Sequence, residues 1–378
     1  MDIETFAHTA AGGWGARFPA WDSEHTLVTV FGASDRVRDS GAIGELMAAF
    51  PRAHVVGCST SGEILETTIS DGSLAVAVCR FEHTRLRSHA VPVAQVDSSR
   101  HAGRSLAEFF MAPDLRALLI FSDGIHVNGS ELLEGVNQVL PASAVVTGGL
   151  AGDGDRFQST WVLAGGAPRA GWISAVGLYG DRVHVGHGSK GGWDAFGPER
   201  IITRSKGNVL FEIDGRPALA LYKEYLGERA AGLPGTALLF PLALRAARGQ
   251  AKSLVRTILS IDEAAQSMTF AGDVPQGYLA QLMRANFDRL VAGAAEAARL
   301  TSAGSREGAA SLALAISCVG RRLVLGQRAE EEVEAARESL PSGARLLGFY
   351  SYGEISPYAT GKCDLHNQTM TLTNIEER

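Results

Sequence analysis

Three glycine-rich turns, each closing the same succession of segments, constrain this chain more than any other feature. Gly57-Cys-Ser-Thr-Ser-Gly-Glu-Ile64 returns near the far end as Gly348-Phe-Tyr-Ser-Tyr-Gly-Glu-Ile355, and a shorter copy, Thr147-Gly-Gly-Leu-Ala-Gly-Asp153, lies between them. The segments leading into each turn are repeated too. The first unit runs from Leu27-Val-Thr-Val-Phe-Gly32 through Phe50-Pro51 to His54-Val-Val56. The second runs from Ala117-Leu-Leu-Ile-Phe-Ser122 through Leu140-Pro141 to Ala144-Val-Val146, and the third from Leu312-Ala-Leu-Ala-Ile-Ser317 through Leu340-Pro341 to Arg345-Leu-Leu347. An apolar run, a helix-length segment closed by Pro, a second apolar run and a Gly-acid turn predict repeated strand-helix-strand units. Such alternation places the chain in the α/β class, with mixed sheets at least partly covered on both faces.

At 378 residues and 46% hydrophobic, the chain can bury substantial cores, and its length suits two or three domains. Two units lie before residue 160 and one after 310. The expected division is a short N-terminal segment over 1–25 that begins with a helix, a domain over 26–216 and a second over 217–378. A net charge of -6 offers no basic field for nucleic acid or an anionic membrane. The start, Met1-Asp-Ile-Glu, lacks the basic and apolar regions of a signal peptide, and no apolar run nears the roughly 18 residues that cross a bilayer, so the expected location is cytoplasmic. Cys58, Cys79, Cys318 and Cys363 have no Cys-x-x-Cys spacing and read as free thiols. The 44 glycines exceed the usual ~7% and imply many tight turns.

Helical spacing covers 39–50, 100–111, 129–139, 218–226 and, as the longest helix, 278–300. Strand patterns cover 73–81, 171–179, 182–187, 201–205, 209–213, 253–261 and 267–270, with a closing strand over 367–372. A glycine-rich loop over 188–197, carrying Trp193 and Phe196, separates two of these strands.

In open α/β sheets the loops at the carboxyl ends of strands line the ligand crevice, which makes the repeated turn a candidate site. Its glycines let backbone N–H groups approach a ligand, while Ser59, Thr60, Ser61, Gly62, Ser351 and Tyr352 supply hydroxyls or backbone, and Glu63 and Glu354 could hold an ammonium group. The plainer reading gives Gly62 and Gly353 the job of supplying positive φ and leaves the acids as local caps. Enzymatic readings find less support. Cys58 has no indicated base, the Gly57–Gly62 run is one residue too long for Gly-x-Ser-x-Gly, and neither a Walker A pattern nor His-Glu-x-x-His occurs.

Several motifs together resemble a known family. Val56-Gly-Cys-Ser-Thr-Ser-Gly-Glu-Ile64, Gly149-Leu-Ala-Gly-Asp153, His187-Gly with Gly197-Pro198, Glu212-Ile-Asp-Gly-Arg-Pro-Ala218, Ser317-Cys-Val-Gly-Arg321, Gly348 to Pro357 and His366-Asn-Gln-Thr-Met370 are similar, in order, to FIST proteins with their N- and C-terminal sensory domains. The likeness spans roughly residues 25 to 372. It implies a cytoplasmic bacterial sensor of a small ligand and no enzyme. One branch of the family binds haem, detects nitric oxide and acts on a histidine kinase or a cyclic-di-GMP enzyme; others are proposed to bind amino acids or similar metabolites. Because the chain ends at Arg378 without an output domain, the resemblance implies a partner in trans, and a homodimer is compatible with it. Noncovalent haem would need an axial ligand, since Cys-x-x-Cys-His is missing. His187 is the favoured metal ligand, at a strand end beside the loop whose Trp193 and Phe196 could cover a porphyrin; a hydrogen-bonded structural His187 is the competing reading. His184 lies an odd number of positions away and should face the opposite side.

Overall fold

Each apolar run is a strand and each intervening segment is helical, in a computed structural model that describes residues 1–35, 40–93, 98–249, 253–357 and 362–378. The first unit comprises strand Thr26–Ala33, helix Ser40–Ala49 and strand His54–Thr60; Asp39, the expected helix start, lies outside the described residues. The second comprises Leu115–Ser122, helix Gly129–Val139 and Val145–Leu150. The third comprises Ser311–Cys318, helices Val319–Leu325 and Ala329–Glu338, and Ala344–Ser351. In every unit the two strands pair in parallel, as a crossover helix requires.

The opening glycine of each turn has one physical reason. Gly57, Gly148 and Gly348 lie opposite Val30, Ile120 and Ala315 on the first strand of their own unit. A Cβ would fall 1.8 Å from the Val30 carbonyl oxygen, 1.9 Å from that of Ile120 and 2.0 Å from that of Ala315. Only glycine lets the two backbones come this close.

The short strands beyond the turns tie the units together. After the first turn, Glu63–Leu65 pairs with Ala344–Ser351 of the third unit. After the third turn, Gly353–Pro357 pairs with Val145–Leu150 of the second. Beyond the second turn, Val162–Ala164 pairs at Cys58 with the first unit. Each turn therefore hands its strand to another unit's sheet, in a closed cycle. On the far side, Leu74–Arg80, Trp172–Tyr179 and Met370–Glu377 run antiparallel to the first strands of units one, two and three. Beyond these lie Asp2–Thr9, Arg85–Pro92 and Val183–Lys190 respectively. The three resulting mixed sheets share one strand plan, and two of them contain strands from both before and after residue 217. Phe31, Phe121 and Phe349, one from each unit, pack where the sheets meet, with ring centroids 4.5 to 6.3 Å apart.

A fourth sheet, antiparallel throughout, gathers Trp193–Ala195 and the strands from Arg200–Lys206 to Leu279–Ala285. With helix Ala218–Leu226 it encloses its own core around Leu210, Tyr222, Phe240, Met268 and Phe270. The α/β architecture with mixed sheets is as the repeats predict.

Three local expectations are corrected. The N-terminus opens with strand Asp2–Thr9, not a helix; it pairs with Leu74–Arg80 of the first sheet and buries Phe6. Residues 278–300 divide into strand Leu279–Ala285 and helix Phe287–Thr301. Asn286 caps the helix by accepting from Arg289 N at 3.2 Å, while pairing on both sides draws helix-tolerant Leu, Ala, Gln and Met into the sheet. Within 188–197, Gly188–Lys190 completes a strand and Trp193–Ala195 forms another, so most of the expected loop is sheet.

A buried ion pair braces the third unit. Arg321 and Glu332 are both fully buried; Arg321 Nε donates to Glu332 Oε2 at 2.7 Å, and the guanidinium also donates to the Gly191 and Leu290 carbonyls at 2.8 Å each. Ser317 and Tyr350 hydroxyls donate to the other carboxylate oxygen at 2.8 and 3.3 Å. One strand from each side of the crossover, three helices and the Gly191 segment meet in this network.

Candidate functional site

The strand exchange brings the three turns into direct contact. Ser61 N donates to the Tyr350 carbonyl at 2.8 Å and Tyr350 N to that of Gly62 at 2.9 Å; Gly152 N donates to that of Ser59 at 2.9 Å and Tyr352 N to that of Leu150 at 3.2 Å. The polar groups of the hub are spent largely on one another. Ser59 Oγ accepts from Trp161 N at 3.0 Å, and Ser61 Oγ from Gly154 N at 3.0 Å. Glu63 accepts from the Thr60 hydroxyl and from Ser73 N and Oγ at 2.9 and 2.7 Å. Glu354 repeats the pattern with the Ser351 hydroxyl at 2.8 Å and Thr369 N and Oγ1 at 3.2 and 2.9 Å. In both, the hydroxyl lies three residues before the acid and the other two donors come from one residue just beyond the hairpin that the acid itself begins. Gly62 has φ 126°, and a Cβ there would strike the Arg322 guanidinium at 2.4 Å. Gly353 does not need positive φ; a Cβ there would press on Leu365 at 2.9 Å and on Leu150 at 3.1 Å.

Burial pushes the Glu354 carboxyl up to about 8, against the opposing hydrogen bonds from Ser351 and Thr369. In an unfolded chain it titrates near ~4.3. The folded protein thus holds the extra proton between these values, so this group's contribution to stability is complete at low pH and falls as pH rises from roughly 4.3 toward about 8. Glu354→Gln mimics the protonated acid and should remove that slope. Paired thermal melts should show the variant gaining on the parent from acidic to mildly alkaline pH, and a constant gap contradicts the assignment.

A cleft opens where this hub meets the antiparallel sheet. Tyr352, from the third turn, stacks on Phe157 with ring centroids 4.3 Å and planes 15° apart, and Phe157 N donates to the Tyr352 hydroxyl oxygen at 3.2 Å. Phe157 has φ 52°, a left-handed backbone rarely adopted by a bulky residue. It is held there by the buried Asp153 carboxylate, which accepts from Arg156 Nε at 2.9 Å, Ser159 N at 3.0 Å, Gln158 N at 3.3 Å and the Ser34 hydroxyl. These bonds outweigh burial and leave Asp153 below the usual carboxylate range. Strain retained beside a cavity is a feature of ligand sites.

Two adjoining cavities make up the cleft. One of about 260 Å³ is lined by Ile125, His126, Leu150, Tyr352 and residues of the antiparallel sheet; the other, of about 500 Å³, by Leu238, Leu239, Leu323 and Val324. They share Phe157 and Leu259. Ile125, Phe157, Leu259 and Leu323 are 36%, 42%, 39% and 45% exposed, and all four line this one cleft. Water-facing apolar side chains gathered around a concavity mark a binding surface.

His126 stands on the wall with its Nδ1 3.1 Å from Asp123 Oδ1. Asp123 is fully buried and also accepts from Ile125 N, His126 N and Gly171 N at 2.8, 2.7 and 2.8 Å. A carboxylate on one imidazole nitrogen orients the ring and leaves the other nitrogen free to meet a ligand.

Of the turn residues expected to bind a ligand, Tyr352 lines this cleft; Ser59, Thr60, Ser61, Glu63, Ser351 and Glu354 are buried in the hub with Gly62 among them. His187, Trp193 and Phe196 are not brought together. His187 sits within strand Val183–Lys190, half-buried, and burial lowers its pKa. Trp193 packs against Leu290, Val324 and Leu325 and donates its indole N–H to the Gln368 carbonyl at 2.8 Å, while Phe196 packs against the core of the antiparallel sheet. Among the described residues no group of three or more His, Cys, Asp or Glu side chains could hold a metal ion. Cys58 is fully buried, and burial drives its thiol well above the usual range. Sequence reasoning missed Phe157, Asp123 and Leu259. The available signal was the Ser122-Asp123 end of the second unit's first strand, a carboxyl-end loop like the turns themselves.

Three interlocked crossover units and a ligand-sized cleft against an appended sheet define a binding module of the α/β class. The FIST N domain model matches residues 26–216 and the FIST C domain model residues 218–357. The chain belongs to the FIST family, whose domains are small-ligand sensors of signal transduction rather than catalysts. The boundary between the two matches falls inside the antiparallel sheet, at Arg216–Pro217. No match was found among curated proteins. Among the described residues no helix is long and apolar enough to cross a membrane.

Proposed function

We propose that this chain senses a small metabolite with an apolar or aromatic body, such as an amino acid, in the cleft between the three-turn hub and the antiparallel sheet. The carrying observation is the gathering of Ile125, Phe157, Leu259 and Leu323, all substantially exposed, around that cleft. A ligand stacked on Phe157 would bridge two bodies with separate cores and bias their relative placement, a change that a partner can read. In keeping with the family resemblance, the partner is a separate histidine kinase or cyclic-di-GMP enzyme.

Haem is a second reading of the same cleft, favoured by the Asp123–His126 pair. In that reading His126 rather than His187 holds the iron, and the bound haem supplies the site for nitric oxide. The probes are anilinonaphthalene sulfonate for the apolar cleft and haemin for the second reading. The dye should bind saturably and lose at least about tenfold in affinity in Leu259→Glu, a change at an exposed position. Unaltered dye binding there contradicts the cleft. A Soret band lost in His126→Ala and retained in His187→Ala supports haem; no band, or a band that depends on His187, removes the His126 reading.

A further inference from the structure

A further cavity, along helix Gly129–Val139, contains a charged group that the sensing cleft does not use. It measures about 250 Å³ and lies between that helix, the antiparallel sheet and strand Cys363–His366. Arg256 forms part of its wall and is only 4% exposed. Its Nε donates to the Asp273 carbonyl at 3.1 Å and its Nη1 to the carbonyls of Val255 and Leu365 at 3.2 and 3.0 Å. Among the described residues Arg256 forms no ion pair, and Nη2 has no hydrogen-bond partner. Burial lowers the guanidinium to about 10, so it stays charged at neutral pH. The nearby Asp364 and Asp273 carboxylates offset part of its charge, and its hydrogen bonds go to backbone carbonyls alone, which leaves donors to spare for an anionic guest. Gly272 reinforces this: a Cβ there would lie 2.9 Å from Arg256 Nε, so glycine makes room for the fork.

The surroundings select the anion. Leu133, Leu244, Leu254 and Leu365 form apolar walls. Glu134, Asp273 and Asp364 also line the cavity, and their carboxylates oppose a multiply charged guest. Arg100 pairs with Glu134, and Asn128 Nδ2 donates to Asp273 Oδ1 at 3.1 Å. We propose that this cavity binds a small organic monocarboxylate, its carboxylate on the Arg256 fork and its apolar body on the leucines. The site is separate from the sensing cleft and does not depend on that reading. Asn128 lines the other cleft and donates to Asp273, so the two cavities are adjacent.

Isothermal titration calorimetry with 4-methylpentanoate tests this directly. The parent protein should bind it, should bind the matching alcohol, 4-methylpentan-1-ol, at least about tenfold more weakly, and should not bind inorganic phosphate. Arg256→Met should abolish binding. Because Arg256 also braces the backbone, Ala246→Trp provides a second test: Ala246 is an exposed residue of the cavity lining, and the indole should block entry while the fold is kept. No binding to the parent, equal binding of acid and alcohol, phosphate binding as tight as the acid, or undiminished binding in Ala246→Trp overturns the proposal.

Discussion

Gly148→Ala and Gly57→Ala are each expected to cost on the order of 4 kcal/mol, enough to leave little folded protein. The added methyl would sit 1.9 Å and 1.8 Å from a carbonyl oxygen of the paired strand, closer than any nonbonded contact allows, at φ values of 142° and 156° that L-residues rarely adopt. The parallel strands would have to part, and with them the turn that carries the exchanged strand. Gly44→Ala is the control. Gly44 lies in helix Ser40–Ala49 with nothing within 4 Å of an added Cβ, so alanine should stabilise by roughly 0.5–1 kcal/mol. Thermal or urea denaturation of the variants checks both. A Gly148→Ala protein melting with the parent would mean that the close approach is not needed.

Arg321→Met should destabilise by about 3–5 kcal/mol, because it strands the Glu332 carboxylate in a site with no exposure. Glu332→Leu alone should cost a similar amount by stranding the cation. The double variant Arg321→Met with Glu332→Leu should recover much of the loss, since removing both charges removes the desolvation cost as well. Denaturation midpoints of the three variants decide it. If the two single costs simply add in the double variant, the pair does not act as a unit. The effect should be large because the same two side chains hold Ser317, Tyr350, Gly191 and Leu290.

Local structure was legible in the sequence wherever a local cause sets it. Helix Gly129–Val139 starts where Asn128 accepts from Ser130 N and Glu131 N at 3.0 and 3.2 Å, and it ends before Pro141, both visible as residue types. The three repeats likewise predicted turns of related construction. What they could not reveal is the partner of each short strand. Glu63–Leu65 is three residues long and finds its sheet almost three hundred residues away, against Leu347–Phe349. No periodicity encodes such a pairing. The same blindness hid the cleft, whose walls come from two turns, one loop, helix Val319–Leu325 and a sheet inserted between strand Val183–Lys190 and helix Phe287–Thr301. His187 looked exposed to a loop because the pairing of Trp193–Ala195 with Met283–Ala285 depends equally on distant residues.

The exchanged strands make a sharp test possible, the folding of residues 1–216 in isolation. Without the rest of the chain, Glu63–Leu65 loses Ala344–Ser351, Val183–Lys190 loses Met370–Glu377 and Val145–Leu150 loses Gly353–Pro357. The fragment should unfold without a cooperative transition, and amides in 183–190 should exchange rapidly; mixing it with residues 217–378 should restore both cooperativity and protection. A fragment 1–216 that melts sharply by itself, with those amides protected, would contradict an architecture in which three units stand only by exchanging strands.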